Sequence, residues 1–379
     1  MTPSSPRSQQ HATRAAFFIP GFATAAWAPM VPYAKAQAGL SDASLGALLL
    51  CLGLGSLLAM PLAGALTARI GCRRLMVATT AVILLSLPLL AIAPSALALG
   101  AALFVFGTGI GAMDCTMNMQ AVAVERDAGR AMMSGFHAFY SIGGFVGAGC
   151  MTALLILGTP LWLAAILAVA AMLAVAVLSA PHWRPQRIEH DGPLLALPHG
   201  IVLFISVLAF VVFLAEGSML DWSAVFLADV RQVPRDQAGA GFAVFTLAMT
   251  AMRLFGDGIV ERLGRTRTLI FGGLTAAAGF ALATLVPSFA VALAGYVLVG
   301  LGCANIVPVL FSLAGHQQAM PESIAITAVT TLGYAGILAG PAAIGALAHA
   351  TSLGFAFLCV AALLVGVAAS APGLARRVR

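Results

Sequence analysis

Twelve long apolar runs fill most of this chain of 379 residues. A helix of about 20 apolar residues crosses the roughly 30 Å hydrocarbon core of a bilayer, and each run is long enough to do so. Hydrophobic residues make up 61% of the chain and charged residues only 8%, which excludes a soluble domain. Because an open strand edge in lipid leaves backbone groups unpaired, and the runs are too long for barrel strands, we predict an all-α membrane protein.

The runs define the predicted helices and the division of the chain. The helices are expected at 14–34, 43–66, 74–93, 97–121, 131–157, 160–180, 200–222, 239–257, 268–287, 289–313, 323–347 and 352–371. The predicted parts are a cytoplasmic tail at 1–13, a six-helix bundle at 14–180, a cytoplasmic linker at 181–199, a second six-helix bundle at 200–371 and a tail at 372–379. The linker is too short for a folded cytosolic domain.

Basic residues are concentrated on one side of the predicted membrane. Fifteen of the nineteen Lys and Arg residues lie in the tails and in the connections from even-numbered to odd-numbered helices. The positive-inside rule then predicts that both termini lie in the cytoplasm. The excess positive charge reflects this topology and attraction to anionic lipid, so we expect the lipid bilayer as a partner and no nucleic acid.

The two halves of the chain are related by an offset of 193 residues. Arg69-Ile70-Gly71 aligns with Arg262-Leu263-Gly264, and Gly107 with Gly300. Since each half begins on the same side of the membrane, the repeats are parallel. This arrangement is typical of transporters in which two bundles rock about a site near the bilayer midplane.

The segment from Gly64 to Arg74 (GALTARIGCRR) resembles the signature loop of the major facilitator superfamily, and it is echoed from Asp257 to Arg267 (DGIVERLGRTR). Within that superfamily, the stretches around Trp27, Asp114 and Glu216 resemble the MosC-like bacterial branch and, more distantly, proton-linked sugar symporters. The resemblance covers essentially the whole chain. It implies two pseudo-symmetric six-helix bundles, alternating access and a central cavity lined in part by the fourth helix.

Two intramembrane acids are the strongest candidates for proton coupling or substrate binding. An ionisable side chain in a spanning helix is costly unless it faces a cavity or a partner. Asp114 is expected about one turn to the cytoplasmic side of the middle of the fourth helix, with Asn118 on the same face. Glu216 lies in the seventh helix, beside Gly217, which could let that helix unwind. For both acids a purely structural role remains the alternative.

Further polar or aromatic side chains at suitable depth are Trp27, His137, Tyr140, Asn305 and Tyr334. Each could line a transport site. Trp27 could equally belong to the aromatic belt at the membrane interface, and the others to contacts between helices.

A second set of charges is expected to form a gate at the cytoplasmic side. By resemblance to the signature loop, this gate comprises Arg69, Arg73, Arg253, Asp257, Glu261, Arg262 and Arg265. Arg253 and Asp257, four residues apart on one helix, can pair directly. The acid expected in the first loop is replaced by Ala68, so closure should depend mainly on the second copy.

The sequence contains no G-x-x-x-x-G-K-[ST] loop, metal-ligand cluster or nucleophile with a base, so we predict neither an enzyme nor a cofactor or metal. The driving force is then an ion or solute gradient. We predict a monomeric secondary transporter for a small-molecule substrate, with protons coupled to symport of a sugar, polyol or related polar solute. A proton-driven exporter and a non-transporting membrane sensor remain the alternatives.

Overall fold

Twelve helices long and apolar enough to cross a membrane run through residues 5–185 and 197–377, which are the residues that the computed structural model describes. In chain order they are α1 (Pro6–Gln37), α2 (Asp42–Ile70), α3 (Cys72–Ile92), α4 (Ala96–Ala128), α5 (Met133–Ile156), α6 (Leu161–Ser179), α7 (Gly200–Val225), α8 (Ala240–Leu263), α9 (Arg265–Leu285), α10 (Phe289–His316), α11 (Glu322–Ala350) and α12 (Leu353–Arg377). The predicted all-α fold and the number of spans are confirmed.

Several helices extend past their predicted ends. α4 continues to Ala128 instead of 121, α8 to Leu263 instead of 257, and α12 to Arg377 instead of 371. Hydrophobicity predicts the end of a spanning helix at the last apolar residues. Arg and Glu nevertheless favour helix, so the backbone continues as a helix beyond the apolar span.

The two signature loops are reduced to one glycine each. Gly71 separates α2 from α3, and Gly264 separates α8 from α9, with φ of 86° and 78°. Each glycine N–H donates to the carbonyl four residues earlier, at 2.9 Å to Thr67 and 2.8 Å to Val260. Such a positive φ is open to glycine at little steric cost, so the chain can reverse direction within a single residue. The arginines predicted to lie in these loops therefore lie on helices.

The first helix begins at Pro6, eight residues before its predicted start. Ser5 caps it by accepting a hydrogen bond from the backbone N–H of Ser8 at 3.2 Å, and proline suits the first helical position. Most of the predicted tail at 1–13 is therefore helical. At the predicted linker, residues 180–182 form a 3-10 turn, whereas 186–196, including Arg187, lie outside the described residues. Arg379 and residues 1–4 also lie outside them.

The chain divides into two compact units. Unit 1 comprises Met1–Ala128, Phe139–Ala196 and Pro321–Thr327, and unit 2 comprises Gly129–Ala138, Leu197–Met320 and Ala328–Arg379. The start of α5 belongs to unit 2, and the start of α11 belongs to unit 1. These two helix starts are related by the 193-residue repeat.

Within each unit, a glycine allows two helices to pack closely. In unit 1, a β-carbon at Gly107 of α4 would overlap the backbone of Leu52 in α2. In unit 2, a β-carbon at Gly300 of α10 would overlap the backbone of Phe245 in α8. Both the glycines and their partners are 193 residues apart, so the repeat extends to individual helix contacts.

Candidate functional site

A buried ion pair joins α7 to α8 in unit 2. Glu216 Oε1 lies 3.5 Å from Arg253 Nη2, and the two side chains are only 15% and 8% exposed. Arg253 also donates from Nε to the backbone carbonyl of Ala304 in α10, at 3.2 Å. Arg253 is therefore held by a carboxylate and a carbonyl at once, which offsets part of the cost of placing a guanidinium inside the membrane.

The carbonyl of Ala304 is available because α10 is interrupted. The helix is regular over Phe289–Cys303 and again over Ile306–His316. In an α-helix the carbonyl of Ala304 would accept from the N–H four residues later, but that residue is Pro308, which has none. The proline thus frees an acceptor that Arg253 uses.

Asn305 and His137 lie in the same unit and are both buried. Asn305 Oδ1 has no hydrogen-bond partner among the described residues and lies against Gly256, where a β-carbon would overlap it. The His137 ring packs on Phe311 of α10 with the ring centroids 5.7 Å apart. His137 also lies within electrostatic range of the Arg253 guanidinium. We call Glu216, Arg253, Asn305 and His137 the unit 2 polar cluster.

Asp257, one turn beyond Arg253 on α8, binds the beginning of α5. Both of its carboxylate oxygens lie 3.1 Å from the backbone N of Gly135, which donates to them. Gly135 is in the first turn of α5, where backbone N–H groups lack helical acceptors and the helix dipole favours a negative charge. At the equivalent place in unit 1, Gly64 of α2 lies against the Thr327 side chain of α11. The carboxylate is therefore present in only one copy of the repeat.

The other predicted gate residues are dispersed. Arg73 donates to the carbonyls of Ala180 and Pro181 within unit 1, which anchors the turn that follows α6. Arg69, Glu261 and Arg262 are exposed, and none of them forms a side-chain hydrogen bond or ion pair with the described residues. Arg265 begins α9 and is half-buried. The seven residues predicted as a gate thus do not form one cluster.

Asp114 and Asn118 are adjacent on α4 in unit 1. Asn118 Nδ2 donates to the backbone carbonyl of Asp114 at 2.9 Å and lies 3.5 Å from its Oδ1. Asn118 is fully buried, and its Oδ1 has no partner among the described residues. Asp114 forms no ion pair with the described residues. Because α4 is longer than predicted, Asp114 lies close to its middle, 18 residues from its start and 14 from its end.

The remaining predicted site residues are divided between the units. Trp27 is buried in unit 1, just before the 3-10 turn within α1. Tyr140 is half-buried in unit 1 and Tyr334 half-buried in unit 2. α7 is a regular helix through Gly217, so the predicted unwinding there is not seen. The sequence interpretation missed Ala304 and Gly135, which contribute backbone groups. Only Pro308, four residues after Ala304, could have signalled the first of them.

Twelve helices of the described residues can span a membrane, and charged groups are buried among them, so the chain is a polytopic membrane protein. Residues 15–316 match the Major Facilitator Superfamily, and the chain belongs to this family. An uncharacterised MFS-type transporter of Yersinia pestis is 54% identical over 97% of this chain and 96% of its own length. The membrane protein MosC of Rhizobium meliloti is 35% identical over 93% of this chain and 86% of its own.

The fold is also that of a solved member of the family. The Escherichia coli fucose:proton symporter matches with a TM-score of 0.82, covering 98% of this chain and 99% of that one, at 15% identity. At this identity the similarity establishes the fold alone. The transporter family agrees with the prediction that the chain is not an enzyme.

Proposed function

We propose that this protein is a proton-coupled symporter that carries a small polar solute, such as a sugar or polyol, by alternating access. The observation that carries the proposal is the carboxylate of Asp114 near the middle of α4, which has no cationic partner among the described residues. A charged carboxylate in a spanning helix costs several kcal/mol without such a partner. Asp114 can avoid that cost by binding a proton, and access from alternate sides would then move the proton across the membrane.

Solute recognition is assigned to the unit 2 polar cluster. Glu216, Arg253 and the free Oδ1 of Asn305 supply donors and acceptors that match the hydroxyl groups of a polar solute. Protonation of Glu216, or a competing solute hydroxyl, would release Arg253 from its carboxylate. Binding of the solute and protonation of Glu216 would then be linked.

The gate is assigned to the contact between Asp257 and Gly135. A carboxylate at the N-terminus of a helix is a favourable interaction that a small displacement breaks. We propose that this contact forms in one transport state and opens in the other. Both termini face the cytoplasm of a bacterial inner membrane in this proposal, and the transporter acts as a monomer.

The test begins with a thermal-shift screen of the purified protein against sugars, polyols, amino acids and cationic drugs, because a ligand that binds the folded state raises its melting temperature. The best ligand is then supplied, in labelled form, outside proteoliposomes with an acidic exterior. Gradient-driven accumulation of the solute supports symport. Expulsion of preloaded solute under the same gradient would identify the alternative exporter, and binding with no transport in either direction would identify a sensor.

A further inference from the structure

A groove of about 390 Å³ lies between the start of α1 and the end of α6 in unit 1, away from the residues assigned to transport. Ser8, His11 and Ala15 line it from α1, and Leu178, Ser179 and His182 line it from α6 and the following turn. The start of α1 and the end of α6 lie on the same side of the membrane. The groove is preformed, because the buried Trp183 donates from Nε1 to the carbonyl of Ala12 at 3.0 Å and so fixes the turn carrying His182 against α1.

One end of the groove is polar and basic. His11 and His182 face it from the two helices, and none of the described residues that line it is acidic. Arg7 and Arg14 lie one turn before and one turn after His11, so the three side chains form a basic stripe on α1. Arg14 Nη1 lies 3.4 Å from His11 Nδ1. These groups favour an anion with several oxygen acceptors.

The other end of the groove leads to an apolar surface. Leu178 lines it and is 76% exposed, and the neighbouring Val177 and Leu173 are 62% and 48% exposed. In a spanning helix, this surface of α6 faces lipid chains. A ligand that fits both ends has an anionic head and an apolar body. A free anion would leave the apolar end unused.

We propose that this groove binds the phosphate of an anionic phospholipid, with the acyl chains lying along α6. Basic pockets between spanning helices on the cytoplasmic side are suited to such headgroups, and each Lys or Arg near an anionic surface, here Arg7 and Arg14, contributes about fivefold in affinity. The groove shares no residue with the unit 2 polar cluster, so this proposal can be tested separately from the transport function.

The test uses the purified full-length protein in neutral detergent, titrated with phosphatidylglycerol or phosphatidylcholine and analysed by native mass spectrometry. We expect phosphatidylglycerol to bind at least about fivefold more tightly than phosphatidylcholine. His182→Gln should weaken that binding. Ser8→Glu should weaken it more while preserving the fold, because Ser5 caps α1 and a glutamate three residues after a capping serine completes a capping box.

Arg74→Gln is the matched control, since Arg74 is an exposed arginine of α3 that does not line the groove. This variant should bind both lipids as the wild type does. Equal weakening by Arg74→Gln and the groove variants would overturn the proposal in favour of general surface charge. Binding of inorganic phosphate as tight as that of phosphatidylglycerol would overturn it in favour of a free-anion site.

Discussion

At the scale of single residues, the buried charges of the two units differ in their partners. Arg253 has a carboxylate and a backbone carbonyl as partners. Among the described residues, the partner of Asp114 is the amide of Asn118, which donates mainly to the backbone. The two acids therefore face different electrostatic conditions. Arg253 stabilises the anionic form of Glu216, whereas Asp114 forms no ion pair with the described residues.

Asp114→Asn should abolish accumulation of the solute in a proton gradient, because an amide cannot take up and release the proton. Solute exchange in the absence of a gradient should remain. The measurement is labelled solute flux in proteoliposomes with and without a pH difference. Asp127→Asn is the control on the same helix, since Asp127 is a largely exposed acid that pairs with Arg184. Gradient-driven uptake that survives in the Asp114 variant would make that residue structural.

Glu216→Gln should remove the carboxylate that pairs with Arg253 and weaken the compensation of a buried positive charge. Removing one partner of a buried pair destabilises a protein by about 3 kcal/mol or more, so a lower melting temperature and weaker solute binding are both expected. The double variant Glu216→Gln with Arg253→Gln should regain much of the stability, because no charge is left unpaired, but not the binding. Solute titrations and melting curves on all three proteins test this. If the double variant binds solute as the wild type does, Glu216 and Arg253 do not belong to the recognition site.

At the scale of the helix, close packing is set by glycines that the repeat places in equivalent positions. Gly107 and Gly300 each meet the backbone of a neighbouring helix, so neither helix can be rotated or shifted without a collision. This explains why glycines occur inside these helices despite their low helix propensity.

Gly107→Ala should destabilise unit 1, because its β-carbon would overlap the backbone of Leu52. We expect a loss of about 1–3 kcal/mol, as is usual for overpacking a close contact. Gly366→Ala in α12 is the matched control, because a β-carbon there meets no atom within 4 Å. That change should be neutral or stabilising by up to about 1 kcal/mol, since alanine favours helix. Melting curves that rank the two variants in the opposite order would contradict the packing account.

At the scale of the whole molecule, the sequence was sufficient for the number of helices, the repeat and the family. Long apolar runs and a constant offset between two halves can be recognised in the sequence alone. The lengths of α4 and α8 were not predictable from hydrophobicity, because their last turns are polar yet favour helix. The pairing of Glu216 with Arg253 could not be read from the sequence either, since it joins different helices. The Asp257 contact could not be predicted because its partner is a backbone N–H, which every residue except proline carries.

The gate assignment predicts a change in the distance between α5 and α8. Spin labels at Ala131→Cys and Gly258→Cys, in a background without native cysteines, would report it by double electron-electron resonance. Asp257→Ala removes a charge-assisted hydrogen bond of about 1.5–3 kcal/mol, so we expect the population of long distances to rise about tenfold or more.

Glu261→Gln serves as the control for the gate, because Glu261 is exposed on the same helix and has no side-chain partner among the described residues. Its distance distribution should match that of the wild type. If the wild type and Asp257→Ala have equal distance distributions, the contact between Asp257 and Gly135 is not the gate.

The central claim, that solute and protons move together, is tested most directly by recording the internal pH of proteoliposomes when solute is added outside with no initial pH difference. Symport predicts that the interior becomes acidic as solute enters, and that this signal is lost in Asp114→Asn but kept in Asp127→Asn. Solute entry with no change of internal pH in the wild type would contradict proton coupling.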